Sequence, residues 1–467
     1  MGPQGWEKMF RVGQISGSAL FPRKTPLSRR SSSFRFRVCA KFVTQNDPGV
    51  ARFKRWAVET GIKFPKLELA DFDGLRGLAA LTEIKIDDEL VSLPRGAAIE
   101  LEPKRRSPEF CEKDAWASCP WFVKLALLLV KEKKLGEESK FSEYVKSLPK
   151  KVDVPVNWGE EELSQFQYRP IINRVGLQKA ALVERYSSIA SAITFDLSKE
   201  DFSWALSCVR SRSFSGPYIG SRLSDRIRGG VLVATLAVAN ITVLGGSVEQ
   251  TLNALIAVTI FNLLYEFLLS RDLSVYVLAP AVDLINHSCY VETDLSYDYF
   301  QDSYAVRAAE DYSRGEQVFI SYGKQSNDSL MQYYGFCIAD NPDDAFVIED
   351  LRTGVSEILD VGTSSYDGLD ASDVFENVKV TRDGFPAKTL NALRKVISTS
   401  QGEGDSETRL AELLKKICER ELDRMGTSLT SDEAEVARKR NAREEWALKF
   451  RIEKKKILRD CVLKIGG

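Results

Sequence analysis

The chain has 467 residues, of which 44% are hydrophobic and 28% charged, the composition of a globular protein long enough for two or three domains. Its 65 basic and 66 acidic residues leave a formal charge of -1, so composition gives no reason to expect a nucleic-acid-binding protein. Eight dispersed cysteines without a C-x-x-C pair, together with a single histidine, argue against a structural metal site and a disulfide framework.

The amino-terminal 40 residues are basic and rich in serine, and Glu7 is their only acidic residue. This composition is typical of an organelle transit peptide. The tripeptide Val38-Cys39-Ala40 resembles a chloroplast stromal processing site. We therefore interpret residues 1–40 as a chloroplast transit peptide and expect a plastid location. A disordered basic tail is the alternative.

The next two segments differ in hydrophobic period. Residues 50–103 predict one helix followed by short strands, because apolar residues first recur at helical spacing and then alternate between Gly and Asp-Asp turns. Residues 115–206 predict a run of helices, in which Ser198 precedes Asp201 as an N-cap.

Residues 229–269 are unusually apolar and form two limbs around the polar turn "GGSVEQ". Each limb is close to the lower limit of about 17 residues for crossing a bilayer. Asn240, Asn253, Asn262 and Glu266 disfavour a lipid-facing span, whereas arginines bracket the pair as interfacial anchors do. We expect a buried helical hairpin, and membrane association through 229–269 is the alternative.

Residues 278–340 return to strands and turns, with a turn at Arg314-Gly315. After residue 370 the chain is helical and charged. Its basic stretch 438–456 predicts a solvent-exposed charged helix rather than a nucleic-acid surface.

Three motifs occur in a fixed order: "DFDGLRGLAA" at 71–80, "RSRSFSG" leading through the apolar segment to "DLINHS" at 283–288, and "ISYGKQSN" followed by "YYGF" at 320–336. Together they resemble the SET-domain lysine methyltransferases, in particular the plant Rubisco large-subunit methyltransferase-like group. The resemblance implies an α+β protein: a SET-domain β-fold with a helical insert, plus a C-terminal all-helical domain of the substrate-binding type.

The expected boundaries are a SET domain at 50–345 and a helical C-terminal domain at 346–467. Inside the SET domain we expect a helical insert at about 104–206 and the apolar insertion at about 218–277.

The resemblance also implies residue roles, with S-adenosyl-L-methionine as cofactor and Tyr322 as the catalytic tyrosine. The implied cofactor contacts are Asp73, Gly74, Leu75, Arg212, Asn286 and His287. The implied substrate contacts are Asp283, Tyr297 and Tyr334. Two departures stand out: Arg76 is an additional residue in the first loop, and Gly216 occupies a position where relatives carry a second arginine.

Methyl transfer requires the residue types found here. A neutral amine attacks the methyl group of a sulfonium, and an apolar aromatic channel favours the neutral amine by desolvation. Tyrosine rings attract the sulfonium and its methyl group. No metal and no histidine base are needed. We therefore interpret His287 as a structural and cofactor-positioning residue. A hydrolase that pairs His287 with Asp283 is the rival, but the sequence has no G-x-S-x-G motif to expose a nucleophile.

The predicted function is S-adenosylmethionine-dependent methylation of a lysine side chain in a plastid protein. The resemblance suggests the Rubisco large subunit or fructose-bisphosphate aldolase as the protein partner. The alternative is a catalytically inactive SET-like scaffold, possible because of the irregular 73–77 loop and the apolar insertion.

Overall fold

The structure is a computed structural model that describes residues 41–42, 47–72, 74–102, 106–216, 223–243, 245–264, 275–293, 295–298, 301–362, 366, 374–401 and 405–466. The predicted transit peptide, residues 1–40, lies outside these ranges. The chain forms two compact units, one from 1–152 and 186–324 and the other from 153–185 and 325–467.

The first unit contains eleven of the described strands. They are β1 Lys41–Phe42, β2 Leu67–Phe72, β3 Leu75–Ala80, β4 Glu89–Pro94, β5 Ile99–Leu101, β6 Ser213–Gly216, β7 Val275–Leu278, β8 Asn286–His287, β9 Ser296–Asp298, β10 Ser303–Arg307 and β11 Phe319–Ile320. The second unit contains β12 Phe346–Asp350 and β13 Glu376–Val380.

The described helices follow in chain order. They are α1 Pro48–Glu59, α2 Lys113–Ser118, α3 Trp121–Leu135, α4 Ser142–Ser147, α5 Glu160–Ser164, α6 Arg169–Ile189, α7 Lys199–Arg212, α8 Leu223–Thr242, α9 Val248–Leu264, α10 Asn327–Tyr334, α11 Leu351–Leu359, α12 Ala387–Gln401, α13 Ser406–Asp423, α14 Leu429–Glu435 and α15 Ala442–Gly466.

Small sheets build the first unit, in the orders β1-β2-β3, β4-β10-β9, β5-β7-β6 and β11-β8. The alternating segment after residue 300 forms strands as predicted, but β10 and β11 do not pair with each other. Instead β10 pairs with β4, and β11 runs parallel to β8. The predicted turn is present, with Gly315 at a φ of 84° that favours glycine. Sequence alternation thus located the strands and left their partners open.

Local sequence accounts for the helix ends that matter for the site. The Ser198 hydroxyl accepts a hydrogen bond from the Asp201 N–H at 3.0 Å and caps α7, which carries Arg212 in its last turn. The Ser326 hydroxyl caps α10 in the same way, and Gly335 ends α10 at a φ of 80°. These caps confirm the N-cap expected at Ser198.

A single large apolar cluster fills the first unit. It joins α1, α3 and α7 to the strands, with Trp56, Tyr144, Phe202 and Val277 all buried. Helices α2, α3, α4 and α7 therefore belong to the same core as the β-sheets, and burial of this apolar surface stabilises both.

The apolar segment forms a helical pair, α8 and α9, but its surface corrects our expectation of burial. Apolar side chains on both helices are exposed, for example Val231 at 61%, Leu236 at 61% and Val248 at 64%. Inside the pair, the Asn240 amide donates to the Thr251 hydroxyl at 2.9 Å. In the part of the chain that is described, none of the helices is long and apolar enough to cross a membrane.

The second unit is mainly helical, with its own apolar cluster around α13 and α15. It also contains the antiparallel pair β12–β13, which the sequence did not lead us to expect. The expectation that 438–456 is wholly solvent-exposed is wrong, since Lys454 and Lys455 on α15 are fully buried. Both are neutralised: Lys454 donates to Asp344 at 2.7 Å and also contacts Asp328. Burial of a charge requires such partners.

Candidate active site

The parallel pairing of β8 with β11 forms the centre of the site. It places Asn286 opposite Phe319 and His287 opposite Ile320, and the Ser288 N–H donates to the Ile320 carbonyl at 3.0 Å. Two motifs separated by about thirty residues in the sequence therefore become neighbours.

Tyr322 follows β11 and is held at three points. Its backbone N–H donates to His287 Nδ1 at 3.0 Å, and its hydroxyl donates to the Ile285 carbonyl at 2.8 Å. Its ring stacks on the His287 ring, with centroids 5.0 Å apart and planes inclined by 17°. These contacts fix both the backbone and the ring of the predicted catalytic tyrosine.

The contacts of His287 assign its tautomer. Nδ1 lies 3.0 Å from the Tyr322 N–H and 3.4 Å from the Ile320 carbonyl. An amide N–H can only donate and is the closer group, and the carbonyl already accepts from Ser288. Nδ1 is therefore the acceptor, and the proton of the neutral ring resides on Nε2.

Burial lowers the pKa of His287 from 6.5 to about 4, so the ring is neutral near pH 7. Its Nε2 is buried and has no hydrogen-bond partner in the described chain. Since Nδ1 is occupied by the Tyr322 backbone, His287 is not oriented by Asp283, and the arrangement required by the rival hydrolase interpretation is not formed.

Asp283 instead belongs to a buried polar cluster with Arg212 and Tyr144. Tyr144 donates its hydroxyl hydrogen to Asp283 Oδ2 at 3.0 Å, and one Arg212 nitrogen lies 2.9 Å from the Asp283 carbonyl and 3.5 Å from Oδ2. Burial raises the pKa of Asp283, while Arg212 and the Tyr144 hydroxyl counteract that rise. Two polar atoms of this cluster, Asp283 Oδ1 and Arg212 Nε, are buried without a hydrogen-bond partner in the described chain.

Asn286 connects β8 to β3. Its side-chain amide donates to the Arg76 carbonyl at 3.1 Å. At Gly77 an added Cβ would lie 2.7 Å from that amide nitrogen and 2.8 Å from Gln317 Nε2, closer than Cβ atoms approach such groups. A side chain at position 77 would displace the ends of the Asn286 and Gln317 side chains, so glycine preserves the contact between β3 and Asn286.

A cavity of about 370 Å³ adjoins this connection, within the size range of small-molecule sites. It is lined by Arg76, by residues at the start of α1 and the end of β2, and by Glu143 and residues 146–150. Cations and carboxylates alternate around it, including Arg52 and Glu143 at 3.3 Å.

The other predicted site residues lie elsewhere. Gly74 and Leu75 form an exposed turn, in which the Gly74 N–H donates to Asp71 at 2.8 Å and Leu75 is 53% exposed. Asp73 lies outside the described residues. Tyr297 is buried in the β4-β10-β9 sheet, where its hydroxyl contacts Asp302.

Tyr334 ends α10 in the second unit. Its ring meets that of Phe336 edge-on, with centroids 6.2 Å apart.

Sequence reasoning missed Tyr144 and the role of Arg76-Gly77. Tyr144 sits in the short helix α4, and in the sequence it has the spacing of an ordinary core aromatic. The additional arginine was visible in the sequence, but its place in the turn was ambiguous. The dipeptide Gly-Leu occurs twice, at 74–75 and at 77–78. Only the pairing of β3 against Asn286 separates them.

The sequence profile of the SET domain matches residues 75–323, more than half of the chain. The chain belongs to the SET-domain family. A second profile, Rubisco LSMT substrate-binding, matches residues 374–458.

Two curated methyltransferases are similar to this chain. An Arabidopsis thaliana chloroplastic [fructose-bisphosphate aldolase]-lysine N-methyltransferase is 24% identical, over 88% of this chain and 81% of its own length. A Pisum sativum chloroplastic ribulose-1,5 bisphosphate carboxylase/oxygenase large subunit N-methyltransferase is 24% identical, over 68% of this chain and 57% of its own length. The fold is similar to that in a solved structure of Rubisco LSMT bound to AdoMet, with a TM-score of 0.58, 19% identity, and coverage of 90% of this chain and 92% of that one.

These findings confirm the predicted family, the α+β fold and the enzyme class, an S-adenosylmethionine-dependent protein-lysine N-methyltransferase. SET methyltransferases use S-adenosylmethionine, and the residues present fit that cofactor. Its methionine portion carries a carboxylate and an ammonium group, which suit the unpartnered Arg212 Nε and Asp283 Oδ1. The cofactor supplies an electrophilic methyl group on its sulfonium.

Proposed function

We propose that this chain methylates a lysine side chain of a plastid protein, with Tyr322 bordering the reacting atoms. The observation that carries the proposal is the three-point fixation of Tyr322 by His287 and Ile285. Holding the lysine amine and the sulfonium methyl group in reacting geometry can contribute about 7–11 kcal/mol, and a tyrosine that is fixed before the substrate arrives helps to define that geometry.

The hydroxyl of Tyr322 has a defined polarity. Its hydrogen is donated to the Ile285 carbonyl, so toward any further group its oxygen acts as an acceptor. Acceptor oxygens favour a methyl group polarised by positive charge through C–H···O contacts. The tyrosine ring also favours positive charge at its face.

Among the described residues, the one imidazole at this site does not serve as a base for the incoming lysine. His287 is buried with a pKa of about 4, and its Nδ1 accepts from the Tyr322 backbone. The lysine must therefore lose its proton to water, assisted by desolvation, which lowers the pKa of an amine. We assign Asn286 and His287 to holding β3, β8 and Tyr322 in register and so to positioning the cofactor.

The remaining roles stay proposals that rest on the resemblance. Arg212 is assigned to the cofactor, and Asp283, Tyr297 and Tyr334 are assigned to the substrate. A plastid location is supported by the composition of residues 1–40 and by the chloroplastic relatives. The Rubisco large subunit and fructose-bisphosphate aldolase are the candidate substrates, because two relatives are named for them.

The test compares the wild type with Tyr322→Phe in two assays, calorimetric titration with S-adenosylmethionine and transfer of labelled methyl groups to purified Rubisco, aldolase and a stromal extract. We expect both proteins to bind the cofactor and only the wild type to label a protein at a normal rate. The control is Tyr186→Phe, which removes a hydroxyl bonded to the Leu197 carbonyl at 2.9 Å. Equal transfer by Tyr322→Phe and wild type would refute the catalytic role, and absence of transfer by the wild type would refute the function.

A further inference from the structure

Asp283 lies on a strained backbone turn. Residues 282–284 form a single turn of 3-10 helix, and the buried Ala281 before it has a φ of 69°. A residue with a side chain rarely adopts this conformation, and such residues persist where the surrounding structure holds them in place. The position of the Asp283 carboxylate therefore depends on the groups that contact it.

Two side chains hold this carboxylate, and both reach the same oxygen. The Tyr144 hydroxyl donates to Asp283 Oδ2 at 3.0 Å, whereas the Arg212 nitrogen that bonds the Asp283 carbonyl lies 3.5 Å from Oδ2. Burial raises the pKa of Tyr144, so its hydroxyl keeps the proton that it donates. Tyr144 makes the shorter contact and so fixes the orientation of the carboxylate that Arg212 meets.

The Tyr144 ring is itself fixed by α1. The Trp56 ring stacks on it, with centroids 6.4 Å apart and planes inclined by 17°. The Trp56 indole N–H donates to the Lys140 carbonyl at 2.8 Å, and both rings are buried. Buried side chains are close-packed, so the Tyr144 hydroxyl has one defined position beside Asp283.

Loss of this hydroxyl alone would change the Arg212–Asp283 pair in two ways. The carboxylate would be free to rotate, because Oδ2 would keep only the 3.5 Å contact with Arg212. Burial raises the pKa of Asp283, and the Tyr144 hydroxyl is one of the groups that counteract that rise. A protonated Asp283 would attract Arg212 less strongly. Both changes would disturb the guanidinium although Tyr144 lies at the far side of the carboxylate.

We propose that Tyr144 is a positioning residue that acts through Asp283 to hold the Arg212 guanidinium in the orientation that binds the amino-acid portion of S-adenosylmethionine. The proposal rests on the proposed function, which assigns Arg212 to the cofactor. The Tyr144 hydroxyl should therefore matter only for ligands that carry this amino-acid portion, and only while Arg212 is present.

The first experiment compares three ligands by calorimetry: S-adenosylmethionine, S-adenosylhomocysteine and methylthioadenosine, which lacks the amino-acid portion. The full-length wild type, Tyr144→Phe and Tyr186→Phe are measured. Tyr186→Phe is the matched control, because it removes a hydroxyl bonded to the Leu197 carbonyl at 2.9 Å in the same unit.

Coupling between contacting residues predicts that Tyr144→Phe binds the first two ligands about 5- to 30-fold more weakly than the wild type. Its affinity for methylthioadenosine should change by less than about threefold, and Tyr186→Phe should resemble the wild type for all three ligands. A general loss of folding would weaken all three ligands alike and cannot imitate this pattern.

The second experiment repeats the substitution in an Arg212→Lys background. Tyr144→Phe should then weaken S-adenosylmethionine binding by less than about threefold further, because the guanidinium through which it acts is absent. A purely structural role of Tyr144 would instead give the full effect in both backgrounds. Each of the two experiments decides alone if the affinities in the other are too weak to measure.

Equal weakening for all three ligands, no weakening, or a full effect in the Arg212→Lys background would overturn the proposal. If Tyr144→Phe does not fold, Trp56→Phe provides the same ligand comparison, because it loosens the Tyr144 ring without removing the hydroxyl. Failure of the proposed function gives a different result: the wild type then binds none of the ligands and labels no protein.

Discussion

Acidification should lower the stability of the folded chain through the protonation of His287. His287 is the only histidine, so a histidine-labelled sample gives a single set of ring resonances. Burial lowers its pKa from 6.5 to about 4. Between these two values the unfolded chain binds a proton that the folded chain does not, so the free energy of unfolding falls as pH falls through this window.

The magnitude follows from the size of the pKa change. Each pKa unit corresponds to about 1.4 kcal/mol, so complete acidification from pH 7 to below pH 4 removes about 3 kcal/mol of stability through this residue. Protonation also breaks a specific contact, because a proton added to His287 Nδ1 would displace the Tyr322 N–H that donates to this atom. Loss of the His287–Tyr322 contact should therefore accompany protonation.

Carbon and nitrogen NMR of histidine-labelled protein, titrated from pH 7.5 to 3.5, measures both the pKa and the tautomer. We expect a midpoint near 4 and the Nε2-protonated neutral form above it. Urea unfolding at the same pH values, for wild type and His287→Gln, should show a stability difference that shrinks by about 3 kcal/mol on acidification. A midpoint near 6.5, or an Nδ1-protonated ring, would refute the assignment of Nδ1 as acceptor.

Three further predictions concern stability and the insert. Lys454→Met removes the ammonium group that pairs with two buried carboxylates, so the free energy of unfolding measured in urea should fall by about 3–5 kcal/mol. The control Lys415→Met, at a side chain that is 58% exposed, should change it by less than about 0.5 kcal/mol. Equal effects of the two substitutions would contradict the reasoning. Tyr144→Phe should lower the free energy of unfolding by about 1.5–3 kcal/mol, because the Tyr144 hydroxyl donates to a carboxylate. Tyr186→Phe should lower it by about 0.5–1.5 kcal/mol, because the Tyr186 hydroxyl donates to a neutral carbonyl. A larger effect of Tyr186→Phe in urea unfolding would contradict this order. Replacing residues 217–274 by Asn-Gly removes helices α8 and α9, so the helical circular dichroism signal should fall by the share of these two helices only. Cofactor affinity should be preserved, and a larger loss of helical signal would contradict the idea that the rest of the unit folds without this segment.

Local patterns predicted the elements near the site well. Ser198 caps its helix, Gly315 forms its turn, and alternation located β2, β3 and β4. The order of motifs around His287 and Tyr322 was sufficient to predict the family. Caps, turns and strands depend on interactions between residues close in the chain, so the sequence alone predicts them.

Long-range contacts were the part that the sequence could not supply. The side-chain amide of Asn286 bonds the Arg76 carbonyl across 210 residues, and the local sequence does not indicate this contact. Tyr144 reaches Asp283 across 139 residues, and nothing around it in the sequence marks this partner. The burial of Lys454 likewise depends on carboxylates more than 100 residues away, so composition alone suggested solvent exposure.

The apolar helical pair leaves and re-enters the sheet at one place. Gly216 and Val275 are opposite each other in the β6–β7 register, so the whole excursion from 217 to 274 begins and ends across a single strand pair. A segment with adjoining ends can change in length without pulling on either strand. This junction is therefore a suitable position for inserting a reporter domain whose termini lie close together, such as a fluorescent protein. The β6–β7 pairing that follows Arg212 would stay unchanged.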